Sequence, residues 1–368
     1  MVSPLPGRFL PQERSDGGGG GPNGRRGASG TPPLGGRNTL GWGVIGIGNI
    51  VRSTIAPAMM AEPECDLVAA VSRDQGRADD FAREFGARYG YTDYDEMLAN
   101  PEVQAVFIAT PNLFHPEQVI SAAGAGKHVL CDKPLAINVP DAKQALEACA
   151  DAGVKLGINF HNRHLPWVRD VSRLIGEGII GEVRMVQLQV ASGPRHYDNW
   201  RSDPEIAGLG SVHNVGVHGL DFLTVLLDSE PVEVMAMFDK GTASGEVEML
   251  ALIQLRFGNG ALVQYNANET LRDPLNDIVI YGTEGRIVGR SFTRSRSDGE
   301  LAVLTGSGET ITRYPAPEAH RLSVAAFTSA VLAGEEPNAS GLDGLRSAQV
   351  CEAIARSANE RRLVEVVY

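Results

Sequence analysis

The spacing of apolar and polar positions changes along the chain, and each change marks an element. Unbroken apolar runs at 42–47, Cys65–Val71, 105–110, 127–131 and 154–160 predict buried strands. Between them, 50–61, Gln75–Phe85, a short helix closing over 97–100 before Pro101, 115–125 and 142–151 read as helices. Pro57 is expected to kink or end the first of these. Strands alternating with helices at this spacing imply a parallel, doubly wound sheet, because a parallel neighbour is reached only by a crossover.

Beyond residue 160 the period shifts. Residues 165–177 form an amphipathic helix with Val168, Val171, Leu174 and Ile175 on one face, leading to a strand at Val183–Ala191. A polar loop over 195–204 carries Tyr197 and Trp200, and another helix begins after the glycines at 208 and 210. Apolar and polar residues then alternate at 232–238, 246–257, 261–270, 277–281 and 286–289, the antiparallel signature, with Gly258-Asn259-Gly260 as a hairpin turn. Helices follow at 321–333 and 345–359, the second starting after Asp343-Gly344, and a short strand closes at 363–367. The fold class is α/β: a doubly wound parallel sheet, then a second α/β domain with a mainly antiparallel sheet.

Length and composition narrow the picture. The 368 residues suffice for two cores, and the expected division is 1–38, 39–160 and 161–368. The first 38 residues, with a glycine run at 17–21 amid Pro, Arg, Ser and Asn, cannot bury enough apolar surface to offset ordering entropy, so a disordered tail is expected. Arg25-Arg26 is not followed by an apolar segment, so export is not expected. No run approaches the ~18 apolar residues of a membrane span. The net charge of −12 disfavours nucleic acid or an anionic membrane as the main partner. Cys65, Cys131, Cys149 and Cys351 are scattered with no C-x-x-C pair, which suits reduced thiols in a cytoplasmic protein.

Candidate chemistry clusters at strand ends. The stretch Gly41-Trp42-Gly43-Val44-Ile45-Gly46-Ile47-Gly48-Asn49-Ile50-Val51 runs from strand through a tight turn into a helix start, where unpaired N–H groups favour a phosphate. Gly46 permits the turn and Gly48 the close approach of a pyrophosphate, while Val51 replaces the third glycine of the usual fingerprint. At the next strand end, where the adenosine ribose of a dinucleotide lies, stand Ser72, Arg73 and, one turn on, Arg77. A hydroxyl and two guanidinium groups suit a 2′-phosphate, so NADP is favoured over NAD; Asp74 keeps NAD possible. The same crevice receives Thr110, Pro111, Asn112 and His115, and then Asp132 and Lys133. Lys133 ends a buried strand, placed to polarise a substrate oxygen. Asn214 and His218, four apart on a helix, project together, and Asp221 one turn on is expected to orient the His218 ring. An amide cannot take a proton at neutral pH, which leaves His218 to move it and Asn214 to hold a hydroxyl. His161 and His164 lack further ligands at suitable spacing, so no metal is expected.

Together, Gly46-x-Gly48, Ala109-Thr110-Pro111-Asn112, Cys131-Asp132-Lys133-Pro134 and the segment Gly208-Leu209-Gly210 through Asn214, His218 and Asp221 resemble the Gfo/Idh/MocA oxidoreductase family. The resemblance runs from Gly41 to the C-terminus. It implies an N-terminal Rossmann domain and a C-terminal α/β domain whose open, mainly antiparallel sheet holds substrate and often forms an oligomer interface, so a homodimer or homotetramer is expected. It also implies that Asp132, in place of the family's usual Glu, Asn159, Trp200 and Arg201 contact the cofactor with Asn49 and Ile50, that Arg163 borders the substrate, and that Lys133-Pro134 is a candidate cis bond. The expected activity is NAD(P)-dependent interconversion of a secondary alcohol and a ketone on a sugar, cyclitol or related polyol. A cofactor-dependent glycosidase and a non-catalytic NADP-sensing regulator are the alternatives.

Overall fold

Five apolar runs and a short edge strand that the sequence did not signal pair side by side as parallel strands: β1 (Leu40–Ile45), β2 (Cys65–Val71), β3 (Tyr89–Tyr91, the edge strand), β4 (Ala105–Ile108), β5 (His128–Cys131) and β6 (Leu156–Ile158), in the order β3-β2-β1-β4-β5-β6. The structure, a computed structural model, describes residues 39–239, 246–292 and 298–368; the tail expected at 1–38 lies outside them. Every residue of β1 and β4 is buried, because helices cover both faces of the sheet. The order reverses between β1 and β4, and a crevice opens there at the carboxyl ends of the strands.

The first helix departs from its expected form. Residues Val51–Ile55 make a widened π-helical turn, and a regular turn follows over Ala56–Ala61. Pro57 therefore neither ends nor breaks the element; the wide turn just ahead of it absorbs the lost N–H. Val51 is fully buried, packed in a cluster with Trp42, Ile55 and Phe81, so the residue that replaces the third glycine turns into the core and away from the turn.

The second sheet has the order β14-β13-β12-β11-β7-β10-β9-β8-β15. Its strands are β7 (Val183–Ala191), β8 (Pro231–Asp239), β9 (Leu250–Phe257), β10 (Leu262–Asn268), β11 (Ile278–Gly282), β12 (Gly285–Arg290), β13 (Gly299–Thr305), β14 (Gly308–Tyr314) and β15 (Val364–Glu365). All neighbours are antiparallel except β7 and β10. Strict alternation along β9 buries one face on the helices Pro166–Gly176, Val217–Leu227 and Gly341–Glu360 and leaves the other open. The hairpin of β13 and β14 was not legible, since β14 buries none of its residues and carries no apolar period.

The last two helices return to the first sheet. Phe327, on Ala319–Ala333, meets the Trp42 ring at 5.5 Å between centroids, and a Cβ at Gly157 would lie 2.6 Å from that Phe327 ring. The final helix begins at Gly341, ahead of the expected 345. Asp343 is not a residue before the helix but the far half of a capping box, accepting from the Ser340 backbone N–H at 2.7 Å.

Candidate active site

A cleft of about 700 Å³ runs along the carboxyl ends of the first sheet and under the second. At one end are Gly46, Gly48 and Ile50. Gly46 has φ +91°, and a Cβ there would stand 2.9 Å from the Ala109 carbonyl oxygen, so the chain itself requires glycine. At Gly48 an added Cβ would meet nothing in the protein within 4 Å. It would instead fill the cradle over the helix start, where a pyrophosphate fits. Ser72, Arg73 and Arg77 line the same end. Asp74 does not: its carboxylate accepts from the Arg77 backbone N–H at 2.8 Å and caps the helix Gln75–Phe85.

Thr110, Pro111, Asn112, Asp132 and Lys133 form the middle of the wall. The Lys133-Pro134 bond is cis. Lys133 Nζ donates to the backbone carbonyl of Asn214 at 2.7 Å, and burial lowers the pKa of the ammonium. That carbonyl belongs to a second π-helical turn, Val212–Gly216, entered through Gly208 and Gly210. The turn is held from outside the helix. Glu248 accepts from the Gly210 and Val212 N–H groups at 2.7 and 2.9 Å, and Tyr265 donates to the Gly216 carbonyl at 2.8 Å. Wide turns of this kind leave carbonyls free for partners beyond the helix, and here Lys133 takes one of them.

Across the cleft stand Tyr197, Trp200 and Arg201, the Arg201 guanidinium 4.3 Å from the Trp200 ring centroid. The Asn214 amide faces the cleft and donates to the Tyr197 hydroxyl and to Glu269 Oε1, each at 2.7 Å. Glu269, 1 % exposed, was missed in the sequence. It sits just past β10 among polar neighbours, and no local pattern distinguishes it from a solvated strand end. Glu248, equally silent in the sequence, was missed for the same reason.

His218 is 8 % exposed and is not part of the cleft wall as that wall stands. Its ring packs edge-on against His161 at 4.5 Å, and His161 stacks on His320 at 3.9 Å. Burial first, then the Lys133 charge, holds the His218 imidazole well below its ordinary pKa, so it is neutral at pH 7. His213 accepts from the Leu209 N–H at 3.0 Å, and burial pushes it down to about 4.

Several expectations are corrected. Asp221 does not orient His218; it pairs with Arg163, both buried, and Arg163 also reaches Asp343 at 3.3 Å and the Asn338 carbonyl. Arg163 accordingly lies outside the cleft wall. His115 is likewise internal, its two ring nitrogens 2.8 and 2.9 Å from the carbonyls of Pro134 and Thr110, where it ties the two loops together. Asn159 donates to Asp132 at 3.2 Å and accepts from Ser323 at 3.0 Å, positioning Asp132 from behind. Asn49 is exposed and outside the wall.

Comparison with known proteins agrees with this geometry. Residues 40–160 match the model of the oxidoreductase family with an NAD-binding Rossmann fold, and 168–288 match the GFO/IDH/MocA C-terminal domain. The chain is 31% identical over 329 residues to 1,5-anhydro-D-fructose reductase of Ensifer adhaerens, covering 88% of this chain and 98% of that one. Among solved structures, aldose-aldose oxidoreductase from Caulobacter crescentus complexed with glycerol superposes with a TM-score of 0.82 at 29% identity, covering 89% of this chain and 99% of that one. Levoglucosan dehydrogenase in complex with NADH and levoglucosan gives 0.82 at 26%, with the same coverage. With both domain models matched in order and a relative this similar along its length, the chain belongs to the GFO/IDH/MocA family of NAD(P)-binding oxidoreductases that act on CH–OH groups.

Proposed function

We propose that the cleft binds NADP and that the protein interconverts a secondary alcohol and a ketone on a sugar, cyclitol or related polyol. One observation carries the reading: a phosphate cradle open at Gly48 and a half-buried lysine at Lys133 face the same cleft. Arg73, Arg77 and the Ser72 hydroxyl support NADP over NAD, and Asp74 turns its carboxylate to the start of its own helix, outside the cleft wall.

When bound, the nicotinamide supplies the redox chemistry, exchanging a hydride with the substrate carbon. Lys133, held by the Asn214 carbonyl, keeps two N–H donors for the reacting oxygen and favours the negative charge that develops on it. Asn214 holds a hydroxyl in place. His218, neutral and set behind the wall as it stands, is assigned the hydroxyl proton, taken on oxidation and returned on reduction, a role that requires the wall to open to its ring.

Purified protein incubated with NADP⁺ or NAD⁺ and a panel of polyols, followed at 340 nm, tests this. The expected result is turnover that is faster with NADP⁺, lost in His218→Ala while NADPH binding is unchanged. Full activity in that variant removes His218 from the mechanism, and hydrolysis of a glycoside at constant absorbance replaces the dehydrogenase with a glycosidase.

A further inference from the structure

Glu269 lies in the wall of the cleft that holds Lys133 and Asn214, yet its two carboxylate oxygens are used unequally. Oε1 accepts from three donors, the Ser192 hydroxyl at 2.8 Å, the Tyr197 hydroxyl at 2.8 Å and Asn214 Nδ2 at 2.7 Å. Oε2 is buried and has no partner. A carboxylate can only accept, and an orphaned buried acceptor carries its full desolvation cost.

Ser192, Tyr197 and Asn214, the three donors to Oε1, have no donor left to give. The single protons of Ser192 and Tyr197 already go to Oε1. The two N–H groups of Asn214 go to Tyr197 and to Oε1. Lys133 Nζ spends one N–H on the Asn214 carbonyl, and no protein donor reaches Oε2. That leaves Oε2 to a donor that a ligand brings into the cleft. Lys133 and Glu269 are also anchored to one and the same residue, Lys133 on the backbone of Asn214 and Glu269 on its side chain. Two groups so closely tied suit two neighbouring oxygens of one small molecule.

We propose, resting on the reading of this cleft as a polyol dehydrogenase site, that Glu269 is a specificity-determining residue. Its Oε2 accepts the hydroxyl on the carbon next to the one that reacts, so the enzyme selects vicinal diols. The carboxylate favours neutral sugars and cyclitols over compounds carrying an anion at that position.

The test is a double comparison on the full chain. Wild type and Glu269→Gln are assayed with NADP⁺ on whichever of D-glucose, D-xylose and myo-inositol wild type oxidises, and on the matching analogue lacking one hydroxyl beside the reacting carbon. For D-glucose, 2-deoxy-D-glucose serves for reaction at either C1 or C3. Glutamine leaves an oxygen for the three donors and turns an amide N–H towards the substrate. Wild type is expected to prefer the diol by roughly 10- to 100-fold in kcat/KM, and Glu269→Gln to bring that preference near unity through loss on the diol alone. NADPH affinity, read by fluorescence, is expected to stay unchanged. Equal slowing on both substrates, or an unchanged preference, overturns the proposal and leaves the dehydrogenase reading intact. No oxidation of any panel member by wild type overturns both. Should the glutamine variant unfold, Glu269→Asp, which keeps the charge and withdraws Oε2 by one methylene, takes its place in the same comparison.

Discussion

Gly46 and Gly48 stand two residues apart under different constraints. The first is fixed by its own chain, through a φ of +91° and the Ala109 carbonyl; the second has nothing within 4 Å of an added Cβ. Gly48→Ala is therefore expected to fold as wild type but to bind NADPH at least roughly 10-fold more weakly, since the new methyl occupies ligand space. Gly46→Ala is expected to lower the melting temperature by several degrees, because an L residue is strained at that φ and its Cβ collides. Thermal melts with and without NADPH, beside a fluorescence titration, separate the two. Equal binding by Gly48→Ala and wild type would show that the cradle does not hold the cofactor's phosphates.

Elements in this protein are set in place by polar groups that arrive from far along the chain. Arg163 lies on a single helical turn between β6 and the helix Pro166–Gly176, and it draws together Asp221 and Asp343 from two later helices. Burial raises the Asp221 carboxyl to about 6 against the opposing pull of Arg163, so the guanidinium is what keeps the carboxylate ionised. Arg163→Met is expected to lose about 3–5 kcal/mol in chemical denaturation, because two buried carboxylates are left without their cation. Adding Asp221→Asn to that variant should recover part of the loss. Because Arg163 is outside the cleft wall, KM of whatever folded Arg163→Met remains should be close to wild type; a large rise in KM would return Arg163 to the substrate site.

On the scale of the molecule, two features have measurable consequences. Burial pushes His164 and His213 down to about 4, and drives His161 and His218 well below the ordinary histidine value. The unfolded chain therefore binds more protons than the folded one between pH 6.5 and about 4, so stability is full above 6.5 and falls as the pH drops through that window. At pH 5, His164 and His213 alone should cost about 2 kcal/mol each, and melts from pH 7.5 to 5 should show a fall of several degrees. The second feature is the open face of the nine-stranded sheet. Met235, Met237, Leu252, Leu262 and Tyr281 are exposed there, and the strand register brings Met237 beside Leu252 and Tyr281 beside Met185. An apolar patch of this extent favours a second copy of the chain. Light scattering is expected to report a dimer or larger assembly, and Met237→Lys with Leu252→Lys to shift it to monomer; a wild-type monomer at micromolar concentration would exclude that use of the face.

The architecture and one end of the cleft were written in local sequence. Cys65–Val71, Gln75–Phe85 and Val183–Ala191 follow from period alone, because burial on one or both faces imposes it residue by residue. The glycine turn, Ser72, Arg73 and Lys133 were legible too, since chain order in a doubly wound sheet already decides which strand ends share a crevice. Other relations hold between residues that no short window contains. Asp221 serves Arg163, 58 residues before it, and not His218 one turn away. Glu248 caps a turn 36 residues earlier, and Glu269 gathers Ser192, Tyr197 and Asn214 from two other segments. A buried polar group is satisfied by whichever partner packing brings within 3 Å, and that distance is fixed only once the chain has closed on itself.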